Sequence, residues 1–308
     1  MPEIVISEFM DEAAIRDAFA GREVLYDPKL VDDPARLTAA VADARALIVR
    51  NRTQVRGALL AAARRLEVVG RLGVGLDNID VAACEARGIA VYPATGANDL
   101  SVAEYVITAA LLLLRRAWFA TERVAAGEWP RTELMGRELA GKRLGLVGCG
   151  AIARVTARMA RGLGMSVAAF DPLLPAEDPV WRDITRQSLP GLLAESDVLS
   201  LHVPLTDATR NMIDAGAIAA MKRGAILVNA ARGGVVDEAA LIAALRSGQL
   251  GGAALDVFAR EPVDAAAGAL FAGVPNLVLT PHIAGVTEES NVRVSAVTAE
   301  AVARHLGA

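Results

Sequence analysis

Short apolar runs alternate with amphipathic helical patterns along nearly the whole chain, and this alternation constrains the fold more than any other feature. A parallel strand pair needs a crossover connection, usually a helix, so the pattern indicates βαβ units and parallel sheets. The 308 residues are enough for about two domains. Two series of apolar runs are present, at 3–7, 23–27, 45–50, 66–71 and 89–92, and then at 143–148, 166–170, 197–203, 225–229, 252–257 and 276–280. We therefore predict an α/β protein with two doubly wound parallel-sheet domains.

Two helical segments complete this organisation. Residues 99–129 have the pattern of one continuous helix, which is longer than an ordinary crossover and is expected to join the two domains. Its most apolar part, 105–114, is about half the length that a bilayer-spanning helix needs. A final helix is predicted at 288–306.

The bulk properties argue against several classes of partner. Charged residues of both signs are mixed along the chain and the net charge is −4, which gives no electrostatic footprint for nucleic acid or an anionic membrane. Cys84 and Cys149 are the only cysteines and stand far apart without a metal-ligand pattern, as expected of free thiols in a reducing compartment. The N-terminus, MPEIVISEFMDE, carries acids in place of a basic signal region. We expect a cytoplasmic protein that binds no metal, nucleic acid or membrane.

A glycine-rich turn, GCGAIA at 148–153, stands between a predicted strand and a predicted helix. Gly148 permits the tight turn, and Gly150 lets the backbone approach a pyrophosphate that the helix N-terminus binds. The next strand ends in Asp171, whose carboxylate can accept hydrogen bonds from a ribose diol and would repel a 2′-phosphate. The sequence therefore predicts a dinucleotide site for NAD in preference to NADP. The alternative is a tight strand-to-helix turn that binds nothing.

Three later strands each end near a residue whose side chain can take part in catalysis or ligand binding. Arg232 follows one strand and precedes a Gly-Gly pair, Glu261 follows the next, and His282 follows the last. An isolated arginine is usually a surface charge, and a lone histidine in apolar surroundings is usually packed in a core. Because ligands gather at the carboxyl ends of parallel strands, a cation, an acid and an imidazole at one edge favour a site instead.

The chain resembles the D-isomer-specific 2-hydroxyacid dehydrogenases, most closely their phosphoglycerate-dehydrogenase-like branch. The resemblance covers the chain from about residue 45 to its end. It rests on VGRLGVGLDNID (69–80), ELAGKRLGLVGCGAIA (138–153), LHVPLTDATRNMI (201–213), VNAARGGVVDE (228–238), AALDVFAREP (253–262) and PHIAG (281–285). It implies a flavodoxin-like substrate domain from residues 1–97 and 285–308 and an inserted Rossmann NAD-binding domain from 98–284. It also implies a homodimer formed through the helix region at 100–127.

The resemblance implies roles for particular residues. Arg232, Glu261 and His282 are the expected catalytic residues. The expected cofactor-binding residues are Gly148, Gly150, Ala151, Ile152, Asp171, His202, Pro204, Ala230, Asp256 and His282. Asp256 is expected to contact the nicotinamide amide, and His202 to line the cofactor cleft without transferring a proton. Substrate binding is expected from Arg50, Arg71, Val74, Gly75 and Arg232, with the N–H groups of Val74 and Gly75 on the carboxylate.

One departure from the family pattern concerns the glycine turn. The family often has a basic residue after the second glycine, and this chain has Ala151 there. A side-chain contact to the pyrophosphate is then lost, and Arg154 is a candidate to replace part of it.

The expected reaction is hydride transfer between NAD(H) and a small 2-hydroxyacid or 2-oxoacid. His282 would exchange the proton with the substrate oxygen as general acid or base. Glu261 would fix the imidazole tautomer and favour its charged form. Arg232 would bind the substrate carboxylate and polarise the carbonyl group.

Arginines at two other strand ends predict a substrate with a second anionic group. Arg50 and Arg52 follow the third strand, and Arg71 ends the fourth. Side chains from neighbouring strand ends can converge on a phosphate or sulfonate, so substrates of the 3-phosphoglycerate or 3-sulfolactate type are expected. The alternative is that these arginines are rim charges paired with acids such as Asp77 or Asp80.

Other functions fit parts of the pattern. A glyoxylate or hydroxypyruvate reductase would use the same reaction with an uncharged tail. An NAD-binding corepressor-like sensor would keep the cofactor site and bind protein partners. Formate dehydrogenase, a sister group, is expected to pair its histidine with glutamine, and Glu261 argues against it.

Overall fold

The computed structural model describes residues 2–116 and 120–307. The chain divides into two compact units. Unit 1 comprises Met1–Asn98 and Val286–Ala308, and unit 2 comprises Asp99–Gly285. The domain boundaries expected from the sequence lie one residue away from these.

Unit 1 is built on a parallel sheet with the strand order of flavodoxin. Its strands are β1 (Ile4–Ile6), β2 (Val24–Tyr26), β3 (Ala46–Val49), β4 (Val68–Arg71) and β5 (Ala90–Pro93). The connecting helices are α1 (Glu12–Ala18), α2 (Pro34–Val41), α3 (Gly57–Ala62) and α4 (Val81–Ala86), with a 3₁₀ helix at Leu30–Asp32. All pairs are parallel, in the order β2-β1-β3-β4-β5. The doubly wound parallel sheet predicted here is confirmed.

Unit 2 has the Rossmann strand order. Its helices are α5 (Asp99–Arg115), α6 (Ala120–Ala125), α7 (Ala151–Gly162), α8 (Leu189–Glu195), α9 (Ala215–Ala220), α10 (Glu238–Ser247) and α11 (Ala265–Ala269), with a 3₁₀ helix at Pro179–Arg182. Its strands are β6 (Arg143–Val147), β7 (Ser166–Phe170), β8 (Thr185–Arg186), β9 (Val198–Leu201), β10 (Ala225–Asn229), β11 (Leu250–Leu255) and β12 (Leu277–Leu279). The order is β12-β11-β10-β9-β6-β7-β8, all parallel. The chain reverses its direction across the sheet between β6 and β9, where open α/β sheets bind ligands.

Both sheets are covered by apolar side chains on their two faces, which is why their strands are nearly continuous apolar runs. In β3, Ile48 packs in one core of unit 1 and Leu47 in the core on the opposite face. In β10, Leu227 and Val228 are divided in the same way between the two cores of unit 2. A hydrophilic residue in the middle of either strand would therefore be buried whichever way it pointed.

Most of the helices begin at a side-chain cap that the sequence supplies. An aspartate at the N-cap accepts a hydrogen bond from the backbone at the start of α1, α2, α4, α9, α10 and α11, and such a cap contributes about 1 kcal/mol. The last helix, α12 (Glu288–His305), starts with a capping box between Thr287 and Ser290 and returns to unit 1. There the Ser295 hydroxyl accepts a hydrogen bond from the Asp11 N–H. The predicted final helix is confirmed.

The single long helix predicted at 99–129 is wrong. α5 ends at Arg115, Arg116 has a positive φ of 54°, and a separate short helix, α6, follows; residues 117–119 lie outside the described residues. The Arg137 N–H donates to the carbonyl of Leu114 at the end of α5 (2.8 Å). The sequence prediction also missed β8, a two-residue exposed edge strand with no apolar run. No helix in the described part of the chain combines the length and apolar character needed to cross a membrane.

Candidate active site

The glycine turn lies where the ends of β6 and β9 come together. Gly148 has a φ of 90°, in the left-handed region that glycine favours. A Cβ at this position would lie 2.6 Å from the carbonyl oxygen of His202, so a larger residue does not fit. The His202 N–H donates to the Val147 carbonyl (2.7 Å), which fixes the two strand ends against each other.

The start of α7 offers unpaired N–H groups to a ligand. Its N-cap is Gly150, which has no side chain to cap the helix, and the space beside Gly150 is open. The first residues of the helix, Ala151 and Ile152, are exposed and half-buried, respectively. The first turn of a helix carries N–H groups without intrahelical partners and the positive end of its dipole. A pyrophosphate fits this end of α7.

Asp171, directly after β7, faces the same turn. Its Oδ2 accepts from the Cys149 N–H (2.8 Å) and its Oδ1 from the Leu173 N–H (2.9 Å). Because each carboxylate oxygen has a second lone pair, both oxygens can still accept from a ribose diol. Burial raises the pKa of the Cys149 thiol to about 11, so this residue fills space in the turn as a neutral thiol. The arrangement fits a dinucleotide.

Arg154 lies against the turn, one helical turn after Gly150. Its Nε donates to the Cys149 carbonyl (3.0 Å), and its guanidinium is 3.5 Å from the Asp178 carboxylate. The side chain therefore adds positive charge near the N-terminal end of α7, where the sequence places no basic residue at position 151.

His202, Pro204 and Ala230 lie at the ends of β9 and β10, beside the glycine turn in the strand order. The His202 Nε2 is 3.0 Å from the Ser200 hydroxyl. Burial lowers the pKa of the His202 imidazole from its usual 6.5 to about 4. The ring is therefore neutral at pH 7, and the absence of proton transfer by His202 stays a prediction.

Arg232 is presented by a tight turn after β10. The buried side chain of Asn229 holds this turn from both sides, accepting from the Ala231 N–H (3.1 Å) and donating to the Arg232 carbonyl (2.9 Å). A Cβ on Gly233 would lie 1.7 Å from the Phe258 carbonyl oxygen, so glycine is required where the turn passes the next strand end. The role of Asn229 was missed in the sequence, where a polar residue ending an apolar strand is the only signal.

Glu261 and His282 form the central pair of the candidate site. Glu261 Oε2 is 2.7 Å from His282 Nδ1, and Glu261 Oε1 accepts from the Phe258 N–H (2.9 Å). Burial alone would raise the pKa of the Glu261 carboxyl, but these hydrogen bonds and the charges of His282 and Arg232 lower it below its usual value. Because an ionised carboxylate only accepts, Nδ1 carries the hydrogen, and Nε2 is the nitrogen left for proton exchange.

Asp256 holds the loop that carries His282. Its backbone carbonyl accepts from the His282 N–H (2.8 Å), and its carboxylate accepts from the N–H groups of Ile283 and Ala284 (2.8 Å each). Burial raises the pKa of the Asp256 carboxyl above its usual value, against the opposing effect of these bonds and of the bond from Thr280. Contact with a nicotinamide amide stays a prediction for Asp256; the loop contacts were not foreseen.

In unit 1 the loop after β4 presents two free backbone donors. Within residues 2–116 and 120–307, the N–H groups of Val74 and Gly75 donate to no protein acceptor. Arg71, the last residue of β4, is half-buried and donates from its guanidinium to the Leu72 carbonyl (3.0 Å). The loop can therefore accept a carboxylate through two adjacent N–H groups.

Arg50 and Arg52 differ in their surroundings. The Arg50 guanidinium donates to the Asn291 side-chain oxygen (2.5 Å) and lies 5.9 Å from the Phe9 ring centre, and it pairs with no carboxylate among the described residues. Burial lowers the pKa of Arg50, against the effect of the nearby Glu8 charge. Arg52 is exposed and forms an ion pair with Asp32. The rim-charge interpretation therefore holds for Arg52, although its partner is neither of the acids considered from the sequence.

Residues 107–284 match the family model described as the D-isomer specific 2-hydroxyacid dehydrogenase NAD-binding domain. The chain is 56% identical over 308 residues to the (S)-sulfolactate dehydrogenase of Chromohalobacter salexigens, and the match covers 100% of this chain and 99% of that protein. It is 38% identical over 298 residues to the D-3-phosphoglycerate dehydrogenase of Archaeoglobus fulgidus, covering 97% of this chain and 56% of that protein. The chain thus spans nearly all of the first relative and just over half the length of the second.

A solved structure is also similar over nearly the whole chain. The D-lactate dehydrogenase of Aquifex aeolicus, complexed with NAD and lactic acid, superposes with a TM-score of 0.85 at 30% identity, covering 97% of this chain and 94% of that chain. The family match includes the glycine turn and the strand ends that carry Arg232, Glu261 and His282.

Proposed function

Since the chain belongs to the D-isomer specific 2-hydroxyacid dehydrogenase family and is an NAD-dependent oxidoreductase acting on CH–OH groups, we propose that its substrate is the D-configured form of 3-sulfolactate, which it interconverts with 3-sulfopyruvate. The environment of Arg50 supports this most directly. Its guanidinium is partly desolvated and contacts neutral groups. The nearby Glu8 charge acts on this guanidinium without an ion pair between them among the described residues, so a second anion on the substrate would give it a direct charge-assisted partner.

The stereochemistry of the full-length relative is consistent with a D-specific family. In the priority order that assigns (R) and (S) at C2 of 3-sulfolactate, the CH₂SO₃⁻ group ranks above the carboxylate, because sulfur has priority over oxygen at the first point of difference. In lactate the carboxylate instead ranks above the methyl group that takes the place of CH₂SO₃⁻. The spatial arrangement called D in lactate is therefore named (S) in sulfolactate, the isomer in the name of the Chromohalobacter enzyme.

We propose that His282 exchanges the proton with the substrate oxygen at its Nε2. When bound, NAD supplies the hydride acceptor for C2 of the hydroxyacid, and NADH the donor in the reverse direction. Glu261 holds Nδ1–H at 2.7 Å and stabilises the imidazolium that forms when the hydroxyacid is oxidised. General acid–base catalysis of this kind contributes about 10²–10⁴ in rate.

Two sets of groups are proposed for substrate binding. In unit 2, the Arg232 guanidinium binds the substrate carboxylate and polarises the reacting C–O group. In unit 1, the N–H groups of Val74 and Gly75 bind the carboxylate, and Arg50 and Arg71 bind the sulfonate. The half-buried positions of both arginines lower the dielectric around them, which strengthens their attraction for an anion.

The test compares kcat/KM for 3-sulfolactate, 3-phosphoglycerate and lactate with NAD, and for sulfopyruvate, hydroxypyruvate and glyoxylate with NADH. We expect Arg50→Gln and Arg71→Ala to lower kcat/KM for sulfolactate about 10- to 100-fold, the loss of a charge-assisted bond, with little effect on lactate. Arg52→Gln is the matched control, because its guanidinium pairs with Asp32 on the surface. A preference for hydroxypyruvate or glyoxylate, or equal losses for both substrate classes in Arg50→Gln, would overturn the proposal.

We also propose a cytoplasmic homodimer that associates through the region of α5 and α6. Large apolar side chains are exposed on and after these helices, including Leu111, Val124, Trp129 (79% exposed) and Met135 (72% exposed). Exposed apolar groups in one region favour protein association, and the buried free thiols of Cys84 and Cys149 suit a reducing compartment. Light scattering on the parent and on Trp129→Ser, and cell fractionation, test the two statements; a monomeric parent contradicts the first.

A further inference from the structure

Tyr105 and Thr280 form a chain of hydroxyl groups that ends on the carboxylate of Asp256. The Tyr105 hydroxyl is 2.7 Å from Thr280 Oγ1, and Thr280 Oγ1 is 2.6 Å from Asp256 Oδ1. Tyr105 lies on α5 and Thr280 follows β12, so the chain joins residues 175 positions apart in sequence. Neither hydroxyl belongs to the cofactor-binding or catalytic residues described above.

The direction of the two hydrogen bonds is fixed by donor counting. An ionised carboxylate only accepts, so Thr280 uses its one hydroxyl hydrogen on Asp256. The Thr280 oxygen is then the acceptor for the Tyr105 O–H. Burial raises the pKa of Tyr105 to about 12, opposed by the Thr280 bond and supported by the charge of Asp256. The phenol therefore stays protonated and donates throughout the neutral pH range.

Asp256 connects the two hydroxyl groups to His282 through hydrogen bonds. Its carbonyl and carboxylate oxygens accept the N–H groups of His282, Ile283 and Ala284 in succession. His282 has a positive φ of 57°, a left-handed conformation that costs a residue other than glycine on the order of 1 kcal/mol or more. The bonds to Asp256 offset this cost by fixing the backbone of His282 and of the two residues after it.

α5 is a rigid support for the outer end of the chain. The helical neighbours of Tyr105, Val106 and Ile107, are buried in the core of unit 2 together with residues of α7 and β10. The phenol is consequently fixed by the packing of its helix, independently of the loop that contains His282. A fixed donor at this end limits the positions that Thr280 and Asp256 can take.

We propose that Tyr105 and Thr280 are positioning residues for the dehydrogenase reaction, which hold Asp256 and through it the left-handed turn of His282. This inference rests on the proposed role of His282 in proton exchange. A substitution that moves His282 away from its bond with Glu261 is expected to slow the chemical step more than it weakens cofactor binding, because the glycine turn and Asp171 are untouched.

The experiment removes each hydroxyl with the smallest change of shape. Thr280→Val is expected to lower kcat about tenfold and Tyr105→Phe about threefold, with a smaller change in the KM for NADH, because each variant loses one hydrogen bond of the network that holds Asp256. Thr280→Ser restores the hydroxyl and is expected to recover most of kcat. Ser196→Ala is the control, since Ser196 is also buried in unit 2 and donates to a carbonyl, that of Leu192, far along the chain from the loop.

A second measurement separates positioning from loss of stability. The Nδ1–H proton shared between His282 and Glu261 is expected to give a downfield proton NMR signal, and the chain has only three histidines to assign. This signal should weaken or move upfield in Thr280→Val and Tyr105→Phe, and stay unchanged in Ser196→Ala and Thr280→Ser. If Thr280→Val does not fold, Tyr105→Phe decides, because it keeps the Thr280–Asp256 bond.

The outcomes distinguish this inference from the proposed function. If Thr280→Val and Tyr105→Phe match Ser196→Ala in kcat and in the NMR signal while His282→Ala is inactive, the positioning role is wrong and the role of His282 stands. If His282→Ala keeps near-normal turnover, the proposed proton exchange fails and the positioning role fails with it.

Discussion

Nδ1 of His282 lies 2.7 Å from Oε2 of Glu261, so this nitrogen is occupied by a hydrogen bond to a carboxylate and only Nε2 can reach a substrate. We predict that His282→Ala lowers kcat about 10²-fold or more and leaves the Kd for NADH near that of the parent. The reason is that Nε2 is the proposed proton donor, whereas the glycine turn and Asp171 are untouched. Stopped-flow single-turnover rates and NADH fluorescence titration measure the two quantities.

His202→Gln is the matched comparison for this prediction. Its ring is neutral at pH 7 and bonds to the Ser200 hydroxyl, a contact that glutamine can also make. We expect a much smaller loss of kcat than in His282→Ala. Near-normal turnover in His282→Ala, or equal losses in both variants, would restore the interpretation of His282 as a structural residue.

Asp171 should set the preference for NAD over NADP. Its two oxygens each retain a lone pair for the ribose, and its negative charge opposes a 2′-phosphate. We predict that Asp171→Asn, which removes the charge at constant size, narrows the ratio of kcat/KM for NAD and NADP about tenfold. A parent enzyme that prefers NADP, or a ratio unchanged in Asp171→Asn, would contradict this assignment.

Arg154 is predicted to contribute to cofactor affinity from its position against the glycine turn. We expect Arg154→Ala to raise the Kd for NADH about 3- to 10-fold and to reduce its dependence on salt, because a positive charge near the pyrophosphate is lost. Arg158→Ala is the control: Arg158 is also exposed on α7 and lies one helical turn further from the glycine turn. Equal changes in the two variants would show that Arg154 acts only through the general charge of the helix.

The sequence predicted the two parallel sheets because the strands carry their own signal. β3 and β10 are buried on both faces and are therefore apolar at nearly every position. The helix starts were encoded locally too, by aspartates that cap the backbone. By contrast, the end of α5 after Arg115 depends on a distant contact, the bond from the Arg137 N–H to Leu114. Residues 111–116, LLLLRR, are good helix formers, so the sequence up to the break gives no signal for it.

The candidate site could be anticipated only where topology alone brings residues together. Parallel strands end at one edge, so Arg232, Glu261 and His282 could be grouped without coordinates. The contacts that orient them could not be foreseen, since Tyr105 reaches Thr280 across the fold and Asn229 acts by bonding backbone groups of its own turn. Arg50 and Arg52 looked alike in the sequence, and only the positions of Asn291 and Asp32 separate them.

The low pKa of His202 predicts a particular dependence of stability on pH. The folded state holds this imidazole at a pKa of about 4, below the 6.5 of an unperturbed histidine. The unfolded state therefore binds more protons between these values, so the contribution of His202 to stability is present above pH 6.5 and is lost as the pH falls towards 4. A shift of this size corresponds to about 3 kcal/mol, and a smaller contribution is expected because residue 202 as a whole keeps some exposure to solvent. Thermal unfolding of the parent and His202→Gln, measured from pH 7 to pH 4.5, tests this. As the pH falls, the Tm of the parent should decrease more than the Tm of His202→Gln. If the two Tm values depend on pH in the same way, His202 is not held in its neutral form.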